Sequence, residues 1–97
     1  MGKATVLNQL RAHKAAMAQR FGVVDPALFG SFARGEAADA SHVDILVRFD
    51  AAPLTSARYF GARFYIEDLP GRPVDMATRQ GLRAEIRSYV EENLIDV

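Results

Sequence analysis

The chain's 97 residues, 49% apolar and 25% charged, fit one small globular domain over 1–97 with a core near the lower size limit. Twelve Lys and Arg balance twelve Asp and Glu, so no global basic field draws the chain to nucleic acid, and direct binding to it is not expected. The absence of cysteine excludes disulfides, thiolate zinc sites and a cysteine nucleophile; with every apolar run too short to cross a bilayer, a cytoplasmic protein without a membrane partner is expected.

Val6, Leu10, His13, Met17 and Phe21 recur at helical spacing and predict a helix from about Thr5 to Arg20, which Gly22 is placed to stop. Asp25-Pro26 reads as a turn, and Ala27-Leu28-Phe29 as a short strand ended by Gly30. Ser31 is positioned to cap a brief helical turn over Phe32 to Glu36, and Ala37 to Ser41 reads as a loop. His42 to Phe49 is the clearest strand. Its alternation puts Val43, Ile45, Val47 and Phe49 on one face, and His42, Asp44, Leu46 and Arg48 on the other. A second helix fits Ser56 to Leu69, with Tyr59, Ala62, Ile66 and Leu69 on one stripe and Phe60 and Phe64 roughly opposite. Pro70-Gly71 closes it. Arg72 to Ala77 predicts a third strand with Asp75 facing away from Val74 and Met76, and Leu82 to Leu94 a last helix. The expected fold is α+β, a small mixed sheet of about three strands layered against helices.

Asp44 and Asp75 stand out because each is an acid between apolar neighbours on a strand, a costly placement unless a cation, a proton or donors compensate it. For Asp44 the bland alternative is a wet strand end salt-bridged to Arg48 on the same face. If the two strands are neighbours, both carboxylates point to one spot, and two hard oxygen donors suit Mg²⁺. Gly30-Ser31 ends a strand, opens a helix and precedes the acid-bearing strand by one loop. Glycine permits close backbone approach to a phosphate, and the helical turn offers free N–H groups beside the serine hydroxyl. His13 is read as a packed or rim histidine, Arg34 as either a phosphate contact or a surface arginine, and Glu67-Asp68 as a solvated helix end. The clusters Arg58/Arg63 and Arg79/Arg83/Arg87 read as solvated helix faces.

With these residues assembled, "GSFARGEAADASHVDILV" resembles the signature of the minimal nucleotidyltransferases, the antitoxin-type small members of the DNA polymerase β-like superfamily. That pattern has Gly-Ser, ten intervening residues, Asp-x-Asp on a strand, and a third Asp on a later strand. Gly30 and Ser31 match the first element, Asp44 the second acid of the pair, and Asp75 in "GRPVDMAT" the third. The tail "LRAEIRSYVEENLIDV" resembles the family's closing helix. The resemblance implies that Gly30 and Ser31 hold the triphosphate of ATP and that the acids hold Mg²⁺. It also implies a helical HEPN-domain toxin as partner, silenced by transfer of AMP to a tyrosine. A homo- or hetero-oligomer would complete the cleft that so short a chain cannot build.

The sequence departs from the pattern at one position: His42 stands where the first acid belongs. Imidazole offers one nitrogen, brings no negative charge, and suits Mg²⁺ less well than transition metals. Three readings follow: a crippled catalyst that still binds nucleotide or partner, a working site with altered metal preference such as Mn²⁺, or replacement of the missing acid by Asp39 or Glu36. Beside the adenylyltransferase stand a non-catalytic antitoxin that acts by complex formation and an aminoglycoside-type small-molecule nucleotidyltransferase.

Overall fold

A computed structural model describes residues 2–36, 42–79, 81–82, 87, 90 and 93–97. Along the chain run helix α1 (Lys3–Phe21), strand β1 (Val23–Phe29), helix α2 (Gly30–Arg34), strand β2 (Val43–Phe49), helix α3 (Ser56–Asp68), strand β3 (Val74–Thr78) and strand β4 (Ile95–Asp96). The four strands form one mixed sheet in the order β3-β2-β1-β4. β1 pairs antiparallel with β2 and β4, and β2 pairs parallel with β3. Parallel neighbours need a crossover, and α3 provides it.

The α+β expectation holds, with four strands in place of about three. β4 is two residues long, too short for a period to show in sequence; it exists because Ile95 and Asp96 pair with Leu28 and Ala27. The Val97 N–H then donates to the Pro26 carbonyl at 3.0 Å. The predicted helix Leu82 to Leu94 lies largely outside the described residues; Val90 is buried, and Leu82 and Leu94 pack beside it.

The alternation read in β2 is the alternation observed. Val43, Ile45, Val47 and Phe49 enter the larger core with Val6, Leu10 and Met17 of α1, Phe32 of α2, and Ala62 and Ile66 of α3. Leu46 enters a smaller core on the other face, with Ala27 and Val90. Both faces of the sheet are therefore covered in part, which is why β2 reads as nearly continuous apolar sequence.

Asp25-Pro26 is a bulge within β1 and not the expected turn. The β1–β2 register shifts between Val24 and Ala27, and Asp25 takes a left-handed φ of 49°. Proline has no N–H to give the ladder, so a bulge accommodates it without breaking the strand. The helix ends follow expectation at Gly22, whose φ is 69° and whose N–H reaches the carbonyls of Ala18 and Met17.

Arg58, expected on a solvated face, turns inward. Its guanidinium donates to the carbonyls of Phe21 (3.0 Å), Ala52 (2.7 Å) and Pro53 (2.8 Å) and to Asp50 Oδ1 (2.7 Å). It thereby joins the end of α1, the loop after β2 and the start of α3, and it lies over the Phe49 ring. Arg58→Ala leaves those acceptors without their shared donor and should destabilise the fold by about 2–4 kcal/mol. Urea unfolding with an unchanged m-value tests this; a midpoint equal to that of the parent chain would refute it.

Candidate functional site

The decisive placement is the register of β2 on β3, where Asp44 is the direct partner of Asp75. Paired residues on neighbouring strands point to the same face, with backbones about 4.8 Å apart. The crossover thus converts two isolated acids into a side-by-side carboxylate pair at the edge of the smaller core. Arg48, the alternative partner for Asp44, instead bonds Asp25 at 2.5 Å. That guanidinium holds the Asp25 carboxyl below its ordinary value through hydrogen bond and charge.

Asp44 is half-buried and its pKa is raised, first by desolvation and next by the charge of Asp75; His42 and Arg34 oppose the shift. A carboxylate pushed up by burial and by a like charge is relieved by a bound cation. Asp75 is exposed, and one of its oxygens is 3.0 Å from His42 Nδ1.

Gly30 closes the site from β1. Its neighbour Phe29 pairs with Asp44, and its φ is 73°. A Cβ built on Gly30 would land on the Asp44 carboxylate, with Cγ at 2.9 Å. The glycine therefore serves twice, once for the left-handed backbone and once for the space. Ser31, expected to cap α2, lies inside its first turn: the N-cap position is Phe29, and no side chain caps the helix. The helix begins at Gly30, two residues earlier than the capping pattern suggested. The Ser31 carbonyl accepts from the Glu36 N–H at 2.9 Å, closing the helix, while its hydroxyl has no partner among the described residues.

Of the substitutes for the missing acid, Glu36 is exposed and bonded to Arg34 at 3.0 Å. Asp39 lies outside the described residues. His13 donates to or accepts from the Tyr65 hydroxyl at 2.7 Å, as a rim histidine would. Glu67 and Asp68 end α3, and they join no metal-ligating cluster among the described residues. Sequence reasoning missed Arg72, whose guanidinium carbon sits 5.1 Å from the centroid of the Phe32 ring, beside the Gly30-Ser31 turn. A cation three residues ahead of Asp75 carries no local signal; only the placement of the segment before β3 beside Phe32 of α2 reveals it.

Among the described residues no three of His, Asp and Glu converge to cage an ion unaided. Two adjacent carboxylates nevertheless fit one Mg²⁺, which keeps water and phosphate for most of its octahedron. The residues present fit a second ion less well, because His42 supplies no bridging oxygens and already engages Asp75.

A family model, the nucleotidyltransferase domain, matches residues 10–97. The chain belongs to the nucleotidyltransferase family. The resemblance drawn from Gly30-Ser31, Asp44 and Asp75 is thereby borne out at the level of the family. This nucleotidyltransferase is 38% identical over 88 residues to the protein adenylyltransferase MntA of Thermococcus cleftensis, covering 91% of this chain and 88% of that protein. It superimposes with a TM-score of 0.83 and 31% identity on a solved structure provisionally described as a minimal nucleotidyltransferase, over 100% of this chain and 97% of that one. A complex of a tri-AMPylated HEPN toxin of Shewanella oneidensis with an MNT antitoxin matches with a TM-score of 0.62 at 17% identity, covering 93% of this chain and 68% of that chain. At that identity the likeness carries the fold alone. No helix among the described residues of this nucleotidyltransferase is long and apolar enough to cross a membrane.

Proposed function

We propose that this nucleotidyltransferase transfers AMP from ATP to a HEPN-type toxin and so acts as the antitoxin of a two-gene module. The observation that carries the reading is the Asp44–Asp75 pairing beneath the Gly30 cradle. The adenylyltransferase name of the Thermococcus cleftensis relative supports the nucleotide, and the AMPylated HEPN complex of similar fold supports the acceptor.

In this reading Gly30 brings its backbone against the triphosphate and Ser31 offers a hydroxyl to the β- and γ-phosphates. Asp44 and Asp75 would hold Mg²⁺. Bound there, the ion neutralises charge developing at the α-phosphate and on the departing pyrophosphate. The acceptor hydroxyl forms the new bond to the α-phosphorus, the bond from that phosphorus to the β-phosphate bridge breaks, and the acceptor proton passes to solvent or base. Asp44 and Asp75 orient the reacting phosphates; they form no covalent bond.

The His42–Asp75 hydrogen bond favours a second reading, in which the chain binds nucleotide or toxin without catalysing transfer. A single assay separates the two. The protein, a HEPN partner and ATP labelled at the α-phosphate are mixed with Mg²⁺, and separately with Mn²⁺. Transfer should label the partner and raise its mass by one AMP moiety, and Asp44→Asn should abolish the label. An unlabelled partner with both metals, in a complex that still forms, would leave the non-catalytic reading standing.

A further inference from the structure

We propose that α3 is a self-complementary docking surface on which a second copy of this chain lays its own α3 antiparallel. The helix turns Ala62 and Ile66 into the larger core. On the opposite face Phe60 and Phe64 are 46% and 59% exposed, with stacked rings 6.3 Å apart. Together with Leu54, they are the large apolar side chains exposed among the described residues. A contiguous apolar patch on a small domain marks an interaction surface.

The charges around the patch identify the occupant. Arg63, Glu67 and Asp68 make no ion pair with one another or with any described residue, and the buried Arg63 Nε has no acceptor. The helix has no acid in its first turn and no base in its last. Its acids Glu67 and Asp68 therefore sit at the negative end of its own macrodipole, where they are unfavourable. An antiparallel copy relieves the misplaced charge. Phe60 and Phe64 meet their counterparts, and the Glu67-Asp68 end of one helix comes beside the positive N-terminal end of the other. A parallel copy would set acids against acids. Because the surface satisfies itself under a two-fold axis, the contact closes as an isologous dimer.

This surface is distinct from the candidate site. α3 covers the sheet face that carries Val43, Ile45 and Val47, whereas Asp44 alternates to the other face beside Leu46. The dimer leaves the carboxylate pair open.

Sedimentation velocity of the full chain across a micromolar concentration series tests the inference. A single-helix contact is small, so a reversible dimer with a dissociation constant on the order of micromolar is expected. Phe60→Ser with Phe64→Ser should weaken it at least ~30-fold while leaving the far-ultraviolet circular dichroism unchanged. A parent chain that stays monomeric throughout overturns the proposal. So does a double variant that dimerises as tightly, or a face that only an added HEPN protein covers. Orientation is read separately, since the native chain has no cysteine to interfere. Oxidising a mixture of Ala57→Cys and Glu67→Cys chains should yield the mixed cross-link. Preferential cross-linking of each variant with itself would overturn the antiparallel arrangement.

Discussion

His42→Asp is expected to raise AMP transfer on the order of 10²-fold, about 2.7 kcal/mol of transition-state stabilisation. His42 precedes β2 on the face of Asp44 and holds an Asp75 oxygen at 3.0 Å. An aspartate there would do two things at once. It releases Asp75 from the imidazole, and it adds the bridging carboxylate that a second divalent ion requires. The same change sets three acids together, so without metal the variant should be less stable than the parent, and Mg²⁺ with ATP should stabilise it more. Labelled transfer and thermal shift, each with and without Mg²⁺, give independent readouts. A variant with no gain in transfer and no new metal response would show that position 42 does not limit the site, and the crippled-catalyst reading of His42 would be lost.

The second large effect falls on Gly30. Gly30→Ala must adopt a φ of 73° and place a methyl group on the Asp44 carboxylate. Left-handed backbone costs an alanine about 1–2 kcal/mol, and displacing Asp44 adds to it, so a loss of about 2–3 kcal/mol is expected. For a chain of this length that lowers Tm by roughly 8–20 °C. Affinity for Mg²⁺ with ATP should fall at least ~10-fold, because the residue that anchors the metal has been moved. Gly35→Ala supplies the control. Its φ is 72°, yet none of the described residues lies within 4 Å of the added Cβ, so it carries the backbone strain without the collision. Equal nucleotide affinity in the two variants would remove Gly30 from the site.

How far the sequence alone reaches depends on the range of the interaction involved. The two-residue alternation of β2 and the stripe through Tyr59, Ala62, Ile66 and Leu69 are local periods, and the buried sets follow them closely. Gly22 and the Pro70-Gly71 turn end their helices by local backbone preference, which is also readable in place. The exposed phenylalanines of α3 follow from the same periodicity, since a stripe that is buried defines the face that is not.

What local pattern does not contain is which segments become neighbours. Asp44 and Asp75 lie thirty-one positions apart in sequence, and only the parallel register of β2 on β3 sets them side by side. Arg58 and Arg48 carry no mark that one turns toward backbone carbonyls and the other toward Asp25. The bulge at Asp25-Pro26 reads as a turn until β2 and β4 pair on either side of it, because ladder hydrogen bonds to two neighbours outweigh a local preference to reverse direction. Sequence by itself determined the first and third helices, the central strand β2 with its buried face, and the residue types of the site. Tertiary structure decided that the acids meet, that His42 engages Asp75, and that the strand runs through its proline, since each depends on contacts between segments distant along the chain.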